Sequence, residues 1–254
     1  MNVSKEKRVL LQASKQAGRI LLKYFGKKSY PKLKLNETLV SKADLEANKA
    51  IIKLIKKNFP DHDILSEEIP YKKKKSDFKW VIDPLDGTHN FLHGIPIFGA
   101  SIALEYRNEV VLGTLNFPVL KIFAFAEKEK GAFLNGKKLK VSNKDEMEHS
   151  FIMFEYAYLN RKVKHDFLGK FVDHNIDLRN SGAAIYGLLM VAAGNADGFV
   201  IFTTNEWDMA AGALMVLEAG GKITDFRGSQ FHPSAGNFIV SNGRIHNKLI
   251  KYVK

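Results

Sequence analysis

The chain has 254 residues, of which 45% are apolar, and it contains no cysteine. A chain of this size buries a substantial core without a disulfide or a structural metal, so we predict one large domain or two closely packed lobes. The absence of cysteine excludes disulfides and thiol catalysis within this sequence. Lysine and arginine (39) outnumber aspartate and glutamate (27) by 12, a balance that favours anionic partners.

The surplus positive charge is interpreted first as a solvated surface. Its densest run is only the four lysines at 72–75, and no zinc-finger spacing or aromatic-interleaved basic stripe accompanies it, so nucleic acid is not the expected partner. The opening segment lacks the continuous apolar stretch of a signal peptide, and nowhere do 18 apolar residues follow one another. We therefore expect a cytoplasmic protein that does not span a membrane.

Apolar residues recur at helical spacing in two segments near the start of the chain. These positions are Leu10, Ala13, Ala17, Leu21 and Tyr24 in the first, and Ala43, Ala47, Ile51, Leu54 and Ile55 in the second. The second helix is expected to end at Asn58-Phe59-Pro60. Two strands should follow, one ending near Leu65 and one running from Phe78 to Ile82, and each leads into carboxylates.

The segment 98–141 alternates like an antiparallel meander, and Asn135-Gly136 is typical of a tight hairpin turn because both residues tolerate positive φ. The polar stretch 142–149 is the best candidate boundary, which predicts an N-terminal α+β lobe at 1–145 and a C-terminal α/β lobe at 146–254. In the second lobe we predict strands at 151–154, 176–178, 199–202 and 237–241. Helices are expected at 208–219, ending at the diglycine Gly220-Gly221, and from 244 onward.

The densest chemical signal is Asp83-Pro84-Leu85-Asp86. A buried strand runs into Asp83, the proline forces an extended or turn geometry, and Asp86 can point back to the same place. Two carboxylates and the Leu85 carbonyl could then converge, and oxygen ligands of this kind are those that Mg²⁺ prefers. The alternative for an isolated Asp-x-x-Asp is a turn or a cap.

An anion site is expected directly after this turn. Gly87 lets the backbone approach an oxyanion, Thr88 supplies a hydroxyl, and the segment 90–93 could begin a helix with free N–H groups. Two further acidic residues support a shared site: Glu67 ends the preceding strand, and Asp208 lies at the start of a later helix. Asp208 has an alternative role as an N-terminal cap.

These residues resemble the signature segments of the inositol monophosphatase family. The resemblance lies in Asp83-Pro-Leu-Asp-Gly-Thr-His-Asn-Phe91, Trp207-Asp-Met-Ala-Ala-Gly212, Ser66-Glu67-Glu68, Leu39-Val-Ser-Lys-Ala-Asp44 and Leu217-Glu-Ala-Gly-Gly221. It implies a layered α-β-α-β-α sandwich of the inositol monophosphatase and fructose-bisphosphatase type. It also implies a lithium-sensitive phosphatase, commonly a homodimer, in which two or three Mg²⁺ ions activate a water. Mn²⁺ is a possible substitute, and Li⁺ or Ca²⁺ possible inhibitors.

The resemblance also implies roles for single residues. Glu67, Asp83 and the Leu85 carbonyl correspond to ligands of one metal ion, and Asp83, Asp86 and Asp208 to ligands of a second. Thr88 and Asp44 correspond to residues that orient the attacking water, with Glu67 beside a third, weaker ion. The Gly87 and Thr88 amides correspond to the phosphate-binding backbone. Two ions together can stabilise both the attacking and the leaving oxygen.

The substrate side departs from the inositol-specific pattern. Within Arg179-Asn-Ser-Gly182-Ala183-Ala184, inositol-specific relatives often have Gly-Thr-Ala, and Ile201 stands where they have an acidic residue that contacts inositol hydroxyls. A pocket without hydrogen-bond partners loses selectivity for a polyol. We therefore expect broad specificity for small sugar or polyol phosphates, while Arg179 is an open candidate for steering an anion.

Three alternatives stay open. Within the same chemistry, the chain could be a fructose-1,6-bisphosphatase or a 3′-phosphoadenosine 5′-phosphate phosphatase, although Thr88-His-Asn90-Phe91 favours the inositol phosphatase branch. From a different class, it could bind RNA or the transcription machinery through its basic surface. No role is assigned to His89 or His93, and Trp80 and Trp207 are expected to pack behind the site.

Overall fold

A computed structural model describes the chain at residues 3–27, 32–33, 39–155, 168–171, 176–202, 204–231 and 236–253. Within these ranges the helices are α1 Ser4–Tyr24, α2 Lys42–Asn58, α3 Thr88–Leu92, α4 Ala184–Ala192, α5 Glu206–Glu218 and α6 His246–Val253. Among the described residues, no helix combines the length and the apolar character that crossing a bilayer requires.

The strands form three sheets. They are β1 Lys32–Leu33, β2 Leu39–Val40, β3 Asp63–Ser66, β4 Phe78–Asp86, β5 Gly99–Tyr106, β6 Glu109–Phe117, β7 Ile122–Glu127, β8 Gly131–Leu134, β9 Lys137–Lys138, β10 Phe151–Glu155, β11 Asp177–Arg179, β12 Gly198–Ile201, β13 Lys222–Thr224 and β14 Phe238–Ser241. The two-stranded sheet is β1-β2, the seven-stranded sheet is β3 to β9 in chain order, and the five-stranded sheet has the order β11-β10-β12-β14-β13.

The first helical layer packs on one face of the seven-stranded sheet. The apolar stripes of α1 and α2 are fully buried, with Leu10, Ala17, Ile51 and Ile55 at 0% exposure, and they join one core with Trp80 of β4. Ser41 starts α2 because its hydroxyl accepts from the Asp44 backbone N–H while the Asp44 side chain accepts from the Ser41 backbone N–H. This capping box satisfies two of the free amides at the helix start.

The second helical layer lies between the two larger sheets. The helices α4 and α5 are apolar around most of their circumference, and their side chains share one core with residues of both sheets. A helix buried on all sides has this composition. Gly212 of α5 faces Leu188 of α4, where an added Cβ would meet the leucine at 2.5 Å, so the glycine permits the two helices to pack closely.

The five-stranded sheet carries the last layer, α6, whose buried Leu249 joins a third core with Ile152 and Ile239. Strands β10, β11 and β12 run parallel, and β14 pairs antiparallel with β12 and β13. The order of layers is therefore α-β-α-β-α, as the family resemblance implied. The division into lobes at residue 145 stays a prediction.

The element bounds confirm most of the predicted pattern. The meander is antiparallel from β4 to β9, and Asn135 and Gly136 both have positive φ, 47° and 82°. The helix before the diglycine ends at Glu218, and Gly220 adopts φ of 89°. The lysines at 72–75 are exposed, as expected of a solvated loop.

Three predicted boundaries near the site are wrong. The second strand does not end at Ile82 but continues to Asp86. The short helix begins at Thr88 rather than Asn90. The later helix begins at Glu206 rather than Asp208, because Asn205 is its cap. The longer strand places Asp83 and Asp86 inside β4, and the earlier helix start makes Asp208 the third residue of α5.

Candidate metal centre

Three carboxylates meet at the interface between the seven-stranded sheet and α5. One oxygen from each of Asp83, Asp86 and Asp208 lies within 4.8 Å of the others. Asp83 is almost fully buried, and the other two are partly exposed. Because two of the residues lie at the end of β4 and the third lies more than 100 residues later, the fold itself brings them together.

The end of β4 places Asp83 and Asp86 on the same side. The register with β5 shifts between these two residues, where the buried Pro84 has no N–H to donate to a neighbouring strand. The Leu85 backbone N–H donates to Asp83 Oδ1 at 2.9 Å. Asp86 Oδ2 accepts from the Ile185 backbone N–H at 2.9 Å, which ties this turn to the first turn of α4.

Asp208 is held by its own helix start. It is the third residue of α5 and forms a capping box with Asn205, whose backbone N–H donates to Asp208 Oδ2 at 2.9 Å. The Thr204 hydroxyl donates to the same oxygen at 3.0 Å. The capping role and the site position are therefore compatible: one oxygen completes the helix start, and the other can face the site.

Within the described part of the chain, the second oxygen of Asp83, Asp86 and Asp208 accepts no hydrogen bond. These three oxygens are therefore available as ligands. Glu67 adds a fourth carboxylate nearby: its backbone N–H donates to the Ile82 carbonyl at 3.2 Å, beside Asp83. The site thus offers several carboxylate oxygens and few compensating donors.

Burial and mutual repulsion raise the pKa of all three carboxyls. Desolvation is the main cause for Asp83 and Asp86, whose pKa values lie well above the usual range, and the charges of Glu67 and Asp208 add to it. Burial likewise raises the pKa of Asp208 to about 6, against the lowering effect of its capping hydrogen bonds. Buried like charges are costly unless a cation balances them, so this cluster favours a bound cation.

A second cluster lies directly beside the first. The Thr88 hydroxyl lies 3.1 Å from the Leu85 carbonyl oxygen and 3.5 Å from Asp44 Oδ1. Asp44 is nearly buried, and burial raises its pKa to about 6 although Ser41 hydrogen-bonds the carboxylate. Thr88 therefore connects the turn at 83–87 to the first turn of α2.

Gly87 needs its small size here. It caps α3 with φ of 79°, and an added Cβ would meet the Ile97 carbonyl at 2.8 Å and Ala183 Cβ at 3.2 Å. The backbone of 87–88 is therefore packed against the start of α4. This contact brings the predicted phosphate-binding backbone next to Ala183 and Ala184 of the predicted substrate segment.

Asn90 fixes the distance between these two segments, and the sequence reasoning assigned it no role. Its side-chain amide donates to the Ile97 and Ser181 carbonyls, both at 2.7 Å. Gly182, with φ of 68°, leaves room for Asn90, since an added Cβ would lie 3.0 Å from the Asn90 amide oxygen. In the sequence, the available signal was an asparagine three residues after Gly87, inside the segment 83–91 that carries the resemblance.

Other candidates lie away from the site surface. Ile201 is fully buried in the core, so the expectation that position 201 faces a substrate is wrong. Arg179 is exposed, and its guanidinium donates to its neighbour's carbonyl. Trp80 is buried and donates to His62, which confirms its packing role, while His89 and His93 are exposed.

The layered fold and the buried carboxylate cluster define a protein with a site suited to divalent cations. The sequence pattern described as "Inositol monophosphatase family" matches residues 2–254. A fructose-1,6-bisphosphatase/inositol-1-monophosphatase of Thermotoga maritima is 37% identical over 94% of this chain and 92% of its own length. A Nus factor SuhB of Pseudomonas aeruginosa is 33% identical over 97% of this chain and 94% of its own.

A solved structure extends the comparison. The crystal structure of the extragenic suppressor protein suhB from Bartonella henselae superposes with a TM-score of 0.93 at 36% identity, covering 99% of both chains. This chain belongs to the inositol monophosphatase family, and it is accordingly a phosphoric monoester hydrolase.

Proposed function

We propose that this chain hydrolyses small sugar or polyol phosphates with the help of Mg²⁺ bound at Asp83, Asp86 and Asp208. The observation that carries the proposal is the convergence of three carboxylate oxygens within 4.8 Å in a place where burial raises their pKa values. Among the hydrogen bonds described for these three residues, no lysine or arginine balances their negative charge. A divalent cation supplies the missing charge.

The donor set fits Mg²⁺. All candidate ligands are hard oxygens: the carboxylates of Glu67, Asp83, Asp86 and Asp208, and the Leu85 carbonyl, which keeps a lone pair besides the one directed at Thr88. Such an ion supplies Lewis-acid stabilisation of the phosphoryl oxygens and makes a water more acidic. The number of ions, replacement by Mn²⁺ and inhibition by Li⁺ or Ca²⁺ belong to the same proposal.

Two residues of the chain orient the water. The Thr88 hydroxyl has one proton and two lone pairs, so when it donates to Asp44 or Leu85 it can still accept a hydrogen bond from a water. Asp44, with a pKa of about 6, is suited to accept the Thr88 hydroxyl proton near neutral pH. The Gly87 and Thr88 backbone N–H groups are proposed to contact the phosphate oxygens.

The substrate is proposed to be a small phosphate monoester similar to inositol 1-phosphate, with broad selectivity. Ala183, which lies beside Gly87, offers no hydroxyl to a polyol, so the site has one selective hydrogen-bond partner fewer than the inositol-specific pattern. The Thermotoga relative carries both fructose-1,6-bisphosphatase and inositol-1-monophosphatase in its name, which supports breadth. The alternative activity is hydrolysis of 3′-phosphoadenosine 5′-phosphate, and the rate with that substrate is the comparison.

Phosphate release tests the proposal. We expect hydrolysis of inositol 1-phosphate, fructose 1,6-bisphosphate and related monoesters with Mg²⁺, and none in excess EDTA. Asp83→Asn removes a shared ligand, so turnover should fall by about three orders of magnitude or more while the circular dichroism spectrum is unchanged. Asp197→Asn, at a carboxylate that binds Ser142 and the Phe151 amide, is the matched control. Full activity of Asp83→Asn, or activity in EDTA, contradicts the assignment.

A second function is favoured by one observation. A relative 33% identical along nearly the whole chain is named as a Nus factor, so contact with RNA or the transcription machinery is the second candidate. Binding through the basic surface should weaken steeply as salt rises. If the affinity for a single-stranded RNA does not change between about 0.05 and about 0.3 M salt, an electrostatic RNA contact is excluded. A homodimer also remains a proposal, which sedimentation velocity measures.

A further inference from the structure

A groove lies along the outer face of α1. Its volume is about 910 Å³, and it lies between α1 and the turn that joins β6 to β7. No carboxylate or substrate-side residue proposed above lines it. A surface that the hydrolase site does not use is available for another purpose.

The groove is lined with positive charge alone. Five of its residues are cationic, Lys7, Arg8, Lys15, Arg19 and Lys121, and none is acidic, although the chain as a whole has 27 acidic residues. Lys7 pairs with Glu127 at 2.8 Å. Among the described residues, Arg8, Arg19 and Lys121 have no ion-pair partner. These three side chains are free to bind an anionic partner.

The groove also exposes apolar surface. Leu22 is 48% exposed, and Leu11, Ile122 and Phe123 are partly exposed. A site for free phosphate needs converging donors and little apolar area. Apolar side chains flanked by cations instead match an amphipathic helix whose apolar stripe is bordered by acidic residues.

The dimensions agree with such a helix. The lining residues of α1 extend from Ser4 to Leu22, a length of about 27 Å at 1.5 Å per residue. A partner helix of about 18 residues would follow it. The wall is held in place, because the Asn116 amide donates to the Ser14 carbonyl at 2.8 Å and Gly18 leaves room for Asn116. A preformed wall reduces the entropic cost of binding.

We propose that this groove binds an acidic amphipathic helix of a partner protein. A second copy of this chain is a poorer occupant, since a two-fold contact would place the same five cations opposite each other. Single-stranded nucleic acid is also poorer: the groove has one aromatic ring, Phe123, and the Lys15 ammonium lies over it at 5.8 Å, so bases lack a stacking platform.

A designed peptide tests this surface on the full chain. The probe is an 18-residue fluorescent peptide with leucines at the spacing i, i+3, i+4, i+7, so that they form one helical stripe, and with glutamate at the other positions. Fluorescence anisotropy measures its binding to the protein. Arg8→Glu/Arg19→Glu should weaken binding at least tenfold. Lys53→Glu/Lys56→Glu changes the net charge equally at exposed positions of α2 and should weaken it less than threefold. Phosphate release by both variants should equal that of the wild type.

Hydrogen exchange locates the contact, with protection expected in α1 and at residues 118–123. The proposal is overturned if both double variants weaken binding equally, or if a peptide with lysine in place of glutamate binds as tightly. It is also overturned if an oligouridine binds this groove in an Arg8- and Arg19-dependent way while the acidic peptide does not. Loss of self-association in Arg8→Glu/Arg19→Glu without peptide binding would assign the groove to a second copy instead.

Discussion

The two sides of the site differ in how the fold holds them. On the side proposed to bind metal, the segment 83–88 lies in or directly after the long strand β4, and backbone amides donate to the carboxylates of Asp83 and Asp86. On the substrate side, the segment 179–184 follows the three-residue strand β11, and Asn180 and Ser181 bind mainly within their own turn. The metal side is anchored by many elements, and the substrate side by few.

This difference separates reactivity from selectivity. The carboxylates are fixed by β4, α4 and α5 at once, so a change there alters charge without altering position. The substrate segment depends largely on Asn90 for its distance from the metal turn. Substitutions in the short segment 179–184 could therefore change the preferred substrate while the carboxylates keep their positions. This agrees with the proposed broad substrate selectivity.

The strongest test of the metal side is the pH dependence of stability without metal. The pKa of Asp208 is raised to about 6 from its ordinary 3.8, so the folded protein binds the proton more tightly than the unfolded chain. Its contribution is favourable below pH 4 and is lost as pH rises through 6, by about 3 kcal/mol. In EDTA, the stability of Asp208→Asn relative to wild type should therefore increase by about this amount between pH 4 and 7.

Urea unfolding at both pH values measures this difference, and the pairing with wild type cancels titrations outside the carboxylate cluster, such as that of the buried His246. With saturating Mg²⁺ at pH 7, the wild type should become more stable than Asp208→Asn, because the cation binds best to the protein with the full set of carboxylates. If the difference between variant and wild type is the same at pH 4 and 7 in EDTA, burial and the neighbouring carboxylates do not raise the pKa of Asp208 as the structure indicates.

A smaller effect is expected at the water-orienting pair. Asp44→Asn should lower turnover about a hundredfold, since it removes the group proposed to hold the proton. It also alters the capping box of α2, so Ser41→Ala is the matched control. That control should cost about 1 kcal/mol of stability in urea unfolding while turnover stays within a few-fold. Equal losses of turnover in both variants would assign Asp44 a capping role alone.

Local and strongly periodic signals predicted most helices and strands well, while the layered order of these elements was predicted through the resemblance alone. Leu10 to Tyr24 recur at helical spacing, and Asn135-Gly136 takes the positive φ values that a tight turn demands. It predicted the convergence of Asp83, Asp86 and Asp208 chiefly through resemblance, since spacing alone cannot show that residues more than 100 positions apart meet. The structure brings these three together within 4.8 Å.

The errors had two sources, contacts between segments distant in sequence and one local helix cap that was overlooked. Ile201 was expected in the pocket, but strand β12 turns it into the core between the sheet and the helices. The start of α5 was placed at Asp208, although Asn205-Glu-Trp-Asp208 has the spacing of a capping box that also marks Ser41-Lys-Ala-Asp44. Asn90 was missed because its partners, Ile97 and Ser181, lie on segments whose closeness only the fold creates.

The anchor of the substrate side is tested by Asn90→Ala. This change leaves the Ile97 and Ser181 carbonyls without their donor, so the turn at 181–184 should shift. We expect KM to rise about tenfold with turnover within a few-fold, because the carboxylates keep their own supports. Asn116→Ala removes an equally buried asparagine that binds the Ser14 carbonyl far from the carboxylates. A similar KM change in both variants would indicate a general loss of stability rather than a positioning role.

The smallest effect is expected at Ala183, where the substrate side lacks a hydroxyl. Ala183→Ser adds one donor next to Gly87 without lengthening the side chain beyond one atom. Because one added hydrogen bond contributes about 1 kcal/mol, kcat/KM for inositol 1-phosphate should rise about five-fold relative to a phosphate ester without ring hydroxyls. Competition between the two substrates measures the ratio directly. An unchanged ratio, with activity retained, would show that position 183 does not face the substrate, and selectivity would then have to come from other parts of the site.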